Sequence, residues 1–186
     1  MNIFVINTNP RKAAEQLCDK HIVKMILESH QMLSLAVKNL YMDKYIDARS
    51  RDLGDGDSYW DDVLPGAPKA HLKHPCTKWV MESRGNYRWL IRHLRAMHGE
   101  YSKRYNKIHS QEGLLMIYEG QEPYLDFKKT RRTKFVQAMP DHCKDKDAVK
   151  AYQKFYNLYK FSFAKWKLGN VPSWFCPPEY DVVLES

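Results

Sequence analysis

No segment of this chain approaches the roughly 20 consecutive apolar residues that a membrane-spanning helix needs. The opening Met1-Asn2-Ile3-Phe4-Val5-Ile6 lacks both the basic start and the long apolar core of a signal peptide. Cysteine is sparse, and Cys18, Cys76, Cys143 and Cys176 form no C-x-x-C pair, which argues against a structural zinc site. These absences lead to the expectation of a cytoplasmic protein with reduced thiols and no membrane partner. Also missing are G-x-x-x-x-G-K-[ST], G-x-G-x-x-G and G-x-S-x-G, so nucleotide-phosphate and serine-hydrolase chemistry lose support. The zinc deaminase pattern H-x-E with P-C-x-x-C is absent despite Pro75-Cys76. Without H-E-x-x-H or an acidic ligand cluster, neither a metal nor another cofactor is expected. Whether any of the eight histidines converge in space is left open by the sequence.

What the chain has in excess is positive charge. Its 186 residues carry 30 Lys and Arg against 22 Asp and Glu, a formal net charge of +8. Such an excess favours a polyanionic partner, nucleic acid being the commonest, although it also serves solubility. The length suits one domain with a sizeable core.

The patterning is helical. Residues 3–6 are β-branched or aromatic and read as a short strand or extended arm. Thr8 or Asn9 can cap a following helix whose first turn takes Pro10 and which should run to about Leu40. Residues 43–73 read as a long acidic loop or insertion, broken by Gly54, Gly56, Pro65, Gly66 and Pro68. A second long helix is expected from Pro75 towards Tyr105, and a short one over 110–120 closed by Gly120. A third long helix spans about Asp145 to Leu168 and ends at Gly169. The tail 170–186 carries Val171, Pro172, Trp174 and Phe175, and is expected to pack on the helices. The fold class is mainly α: one domain, 1–186, of three long helices plus short ones, with a short N-terminal extended segment.

The richest stretch is Asp19-Lys20-His21-Ile22-Val23-Lys24-Met25-Ile26-Leu27-Glu28. At about 100° per residue, His21, Lys24, Glu28 and Gln31 share one arc. Ala14, Cys18, Ile22, Met25, Ser29, Met32, Leu33 and Ala36 fill the adjacent arc, which must face the core. An acid, a candidate base and a cation at a core margin are what a catalytic cleft requires. A solvated flank with one i, i+4 Lys–Glu pair is the plainer reading.

Two basic features point to phosphate. Arg84, Arg88, Arg92 and Arg95 recur at steps of four, four and three on one helix face. No carboxylate interrupts that row, so an anion or solvent must screen it. Lys128-Lys129-Thr130-Arg131-Arg132-Thr133-Lys134 places five cations in seven residues, interleaved with hydroxyls suited to a phosphate backbone. A solvated face and a solvated loop are the alternatives. The late stripe of Tyr152, Phe155, Tyr156, Tyr159, Phe163 and Trp166 reads as core before base-stacking platform.

A short N-terminal segment leading into a helix with Asp19-Lys20-His21, and with Glu28 seven residues beyond the histidine, resembles the phage pyrimidine-dimer DNA glycosylases of the endonuclease V type. His74 ahead of an aromatic and basic second helix, and the late Pro172-Ser173-Trp174, are similar too. The layout also resembles a set of phage proteins sharing D-K-H-x-x-K-x-x-x-E. The resemblance implies a compact helical domain that kinks duplex DNA and extrudes a base, working in the host cytoplasm if phage-encoded. In that family the α-amino group of the mature N-terminus attacks the sugar C1′ and forms a Schiff base. The helix glutamate carries the acid–base work, a role that falls here to Glu28. His21 and Lys20 take the adjacent DNA-facing positions. The departure is Asn2: a side chain this large should leave Met1 in place, where the family presents a small residue. Met1 then offers its own amine, or Lys24 substitutes, or lyase chemistry is lost.

The expected activity is therefore N-glycosidic cleavage on DNA, with Glu28, His21 and Lys24 as catalytic candidates. Lys20, Gln31, Arg84, Arg88, Arg92, Lys128, Lys129, Arg131, Arg132 and Lys134 are candidates for DNA contact. A base-modifying transferase in the same cleft, a non-catalytic DNA-binding protein and a hydrolase of free nucleotides stand as alternatives, and the last would not need the Lys128–Lys134 run.

Overall fold

The computed structural model describes residues 1–41, 63–64, 69–167 and 169–177. The fold is mainly α. Six α-helices stand among the described residues: α1 Pro10–Glu15, α2 Asp19–Leu40, α3 Pro75–Glu82, α4 Arg84–Tyr105, α5 Leu114–Gln121 and α6 Ala148–Tyr159. Residues 3–6 are an extended arm; the only β pairings described are isolated bridges, Tyr41 with Leu125 and Ser83 with Lys129. None of the described helices is long and apolar enough to cross a membrane.

The first expected helix is two. Asn9 caps α1 by accepting from the N–H groups of Arg11 and Lys12, and Pro10 takes its first turn. The helix then stops at Gln16 without a glycine or proline, because tertiary contacts replace its continuing ladder. Arg104 of α4 donates to the Glu15 and Leu17 carbonyls at 3.0 and 2.7 Å, satisfying acceptors that a helix C-terminus leaves open. The Cys18 N–H donates to the Tyr156 hydroxyl and that of Asp19 to the Lys165 carbonyl. From Asp19 the second helix runs to Leu40, and all eight residues of the expected core arc are buried.

The second expected helix also divides, at Ser83, whose backbone is extended (φ −151°, ψ 151°) and whose Oγ accepts from the Asn86 N–H. Here the basic run passes across the junction as a strap. Arg84 and Gly85 donate their N–H groups to the Lys129 and Thr130 carbonyls, each at 2.9 Å. A Cβ on Gly85 would lie 2.3 Å from the Arg132 backbone nitrogen, so this close approach needs glycine. Asn86 binds both Trp79 O and Thr133, locking helix, junction and strap together.

The remaining elements depart from their expected ends. The 110–120 helix spans Leu114–Gln121 and runs past Gly120 into a 3-10 turn, Glu122–Tyr124. The last helix starts later and ends sooner than expected, over Ala148–Tyr159, capped by Asp147. Beyond it the chain folds back so that Trp166 Nε1 donates to Gln16 O. That contact and the Asp19–Lys165 bond outweigh helical continuation. Of the acidic stretch at 43–73, Lys69–Lys73 forms a 3-10 turn leading into α3, Val63 packs against the core, Leu64 is buried, and the remainder lies outside the described residues. In the described part of the tail, Asn157 donates to Trp174 O and Trp174 Nε1 to Gln16.

Candidate active site

The arm folds back over α2 and brings the chain's α-amino group to Glu28. Met1 N lies 3.8 Å from Glu28 Oε2, and the Asn2 N–H donates to the same oxygen at 2.9 Å. Lys24 Nζ lies 3.5 Å from the other carboxylate oxygen, its side chain 67 % exposed against 12 % for Glu28. Acid, terminal amine and lysine thus meet at the margin of the core, the carboxylate inside and the lysine facing solvent.

Asn2 builds this turn. Its Oδ1 accepts from the N–H groups of Ile3 and Phe4, and its Nδ2 donates to Ala138 O at 2.9 Å. A short polar side chain that caps its own following backbone is what asparagine offers at a turn. Phe4 pays for the reversal with a positive φ of 34°, costing on the order of 1–3 kcal/mol. Burial of its ring offsets this: it packs 4.3 Å from the His21 ring and stacks on Phe155 at 6.0 Å, between centroids.

The N-terminal turn of α3 forms the facing wall. His74 caps it, its Nδ1 accepting from the Cys76 N–H, so the neutral ring carries its proton on Nε2. Burial holds the His74 pKa below its ordinary value, and the nearby α-amino charge lowers it further against the opposing pull of Glu28. The Cys76 thiol is pushed up to about 12, chiefly by burial, and stays protonated at neutral pH. Lys160, just past α6, has its pKa lowered by burial and then by Lys24, with Glu28 opposing. Among the described residues, no group of three or more His, Cys, Asp or Glu is arranged to hold a metal ion.

Of the three residues expected at the catalytic edge, the structure joins Glu28 and Lys24 but sets His21 inward. The His21 ring is caged by Phe4, Tyr156 and Phe163, its Nδ1 has no hydrogen-bond partner, and its pKa falls to about 3 through burial. The helical wheel put His21 beside Glu28; the arm laid over α2 turns the His21 end of that arc into interior. The spacing gave no sign of Asn2, Lys160 or Cys76 as neighbours of Glu28, and His74 was marked only by its place before Pro75.

The arginine row is corrected by α5. Arg84 and Arg88 both pair with Glu122, at 3.3 and 2.8 Å, and Arg95 pairs with Glu119. The carboxylates missing from the row are supplied by α5 and the 3-10 turn that follows it. Arg92 remains exposed, in a cleft it shares with Arg11 and Lys103. Within the strap, Lys129 pairs with Glu82 at 2.6 Å, and Arg132 lies 4.2 Å over the Phe135 ring. Lys128, Arg131 and Lys134 are exposed. On α2, Lys20 is exposed with its ammonium 5.2 Å from the Phe163 ring, and Gln31 is half-buried.

A family model described as pyrimidine dimer DNA glycosylase matches residues 1–112, more than half of the chain. The match contains Met1, Lys24, Glu28 and His74, and stops short of the strap and Lys160. No curated protein and no solved structure matches the chain. The chain belongs to this family, and the family name gives its general substrate, DNA.

Proposed function

We propose, for a member of the pyrimidine dimer DNA glycosylase family, that this chain cleaves the N-glycosidic bond of an extruded base, with Glu28 as the acid–base residue. The observation that carries the reading is the 3.8 Å approach of the α-amino nitrogen to the Glu28 carboxylate, inside a nook walled by α2 and α3. An amine there can attack C1′ of the sugar as the base leaves with the bonding pair. Once a proton has left the nitrogen and the sugar ring has opened, the product is a Schiff base. Positive charge grows on the sugar during departure, and a carboxylate held nearby stabilises it. Glu28 also accepts the proton that the ammonium must lose before its nitrogen can attack C1′.

Lys24 is the second candidate nucleophile, 3.5 Å from the same carboxylate. Its exposure favours a role in meeting the phosphate backbone, with Lys20 beside it. Lys128, Arg131, Arg132 and Lys134 extend that cationic surface along the strap, whose continuation reaches Asn2 through Ala138 O.

The test is Glu28→Gln. Glutamine keeps an acceptor for the Asn2 N–H, so the arm should stay folded. The account expects cleavage of a duplex carrying a pyrimidine dimer to fall by about 10²-fold or more, with affinity for the duplex within a few-fold. Unchanged cleavage would remove Glu28 from the chemistry.

A further inference from the structure

On the outward face of α2, next to the carboxylate, two large apolar side chains stand in solvent. Leu27 is 45 % exposed and Val23 43 %. They are one helical turn apart, and Leu27 directly precedes Glu28. At about 100° per residue, moving round the helix away from Glu28, the exposed face reads Lys24, Gln31, Lys20, Leu27, Val23. The two apolar residues thus stand at the far end of this exposed face, with Lys20 and Lys24 both on the side towards Glu28 and Lys160 close to Lys24. The one other carboxylate on this stretch of helix, Asp19, is turned inward onto Arg104.

We propose that Leu27, supported by Val23, is the wedge that enters the base stack of duplex DNA where Glu28 acts. This rests on the reading above and adds the residue that holds the duplex open. Extruding a base costs stacking and leaves a gap; an apolar side chain that fills it lowers that cost. A rigid helix carrying branched side chains is already in shape for insertion. The occupant is a nucleic-acid stack because Lys20 and Lys24 line the side of the apolar pair that leads to Glu28, which suits the phosphates of the flanking strand, and because the neighbouring carboxylate can act only on an unstacked nucleotide. Ile108 and Met116 are more exposed still, at 79 % and 78 %. They lie away from Glu28, on the α4–α5 connection and on α5.

The experiment compares wild type, Leu27→Ser and Leu27→Met on a duplex with 2-aminopurine beside an unreactive tetrahydrofuran abasic analogue. Wild type and Leu27→Met should raise 2-aminopurine fluorescence several-fold, and Leu27→Ser should leave it near the free-duplex value at saturating protein. Cleavage of a pyrimidine-dimer duplex by Leu27→Ser should fall at least about tenfold, but much less on a duplex whose dimer faces a gap. Equal fluorescence for wild type and Leu27→Ser overturns the wedge. So does an equal cleavage loss on both duplexes, or a wild-type dimer in sedimentation that Leu27→Ser dissociates. Leu27-dependent unstacking without any cleavage would leave the wedge standing and remove the glycosylase reading; failure to bind duplex at all would remove both.

Discussion

Single atoms decide much of this molecule. Glu28 receives the Asn2 N–H and the Met1 amine because Asn2 turns the chain back on itself. Gly85 is a second such case, since a single added carbon meets the Arg132 backbone. Gly85→Ala should destabilise the fold by about 1–3 kcal/mol, seen as a lower urea midpoint at unchanged slope. An unaltered midpoint would mean that the strap does not lie against α4 in solution. The Glu28 and Lys24 pairing was legible because an i, i+4 relation needs only the helix period. The inward turn of His21 was not, because it depends on Phe4 in the arm, seventeen residues upstream.

Helices here begin and end where other elements require it. The core arc of α2 and the Asn9–Pro10 start of α1 could be read from local pattern, which is where periodicity and capping chemistry suffice. The break between α1 and α2 could not, since its cause is Arg104, some ninety residues away. That side chain is 2 % exposed and binds Asp19, Glu100 and two carbonyls. It joins α4 to the hinge that sets the direction of α2, and so the aim of Glu28. Arg104→Ala leaves Asp19 buried without its cation and should cost about 3–5 kcal/mol. Chemical denaturation measures this, and a loss below 1 kcal/mol would show the hinge to be held by Cys18 and Tyr156 alone. The Ser83 junction carried a readable cap in Ser83-Arg84-Gly85-Asn86, masked by the helical period on either side. The arginine row looked unpaired only because Glu119 comes from α5 and Glu122 from the 3-10 turn that follows it.

At the scale of the whole molecule, buried histidines set a limit in acid. Burial brings His21 and His30 down to about 3 and His93 and His98 to about 4. His30 and His98 share one hydrogen bond, Nε2 to Nε2 at 3.0 Å, which requires one of the two nitrogens to be unprotonated. All four are neutral in the fold and become charged on unfolding below their ordinary value of 6.5. The unfolded chain then binds more protons, so stability is complete above about pH 6.5 and falls as pH drops towards 4. Each group removes up to about 1.4 kcal/mol per pH unit in that window. Against a total of roughly 5–15 kcal/mol for a typical domain, the chain should lose a large part of its stability by pH 5. A melting temperature constant between pH 7 and pH 5 would contradict this. The net charge of +8 points to a polyanionic partner; among the described residues, the fold pairs Arg84, Arg88, Arg95 and Lys129 with carboxylates.

The central claim is that the chain's α-amino group and Glu28 form one reacting pair. Borohydride trapping on a duplex containing a pyrimidine dimer, followed by peptide mapping of the adduct, tests it most directly. The account predicts a covalent protein–DNA adduct on the Met1 nitrogen, lost in Glu28→Gln and on blocking the α-amine. An adduct mapped to Lys24, or cleavage to an abasic site with no adduct at any borohydride concentration, would contradict it.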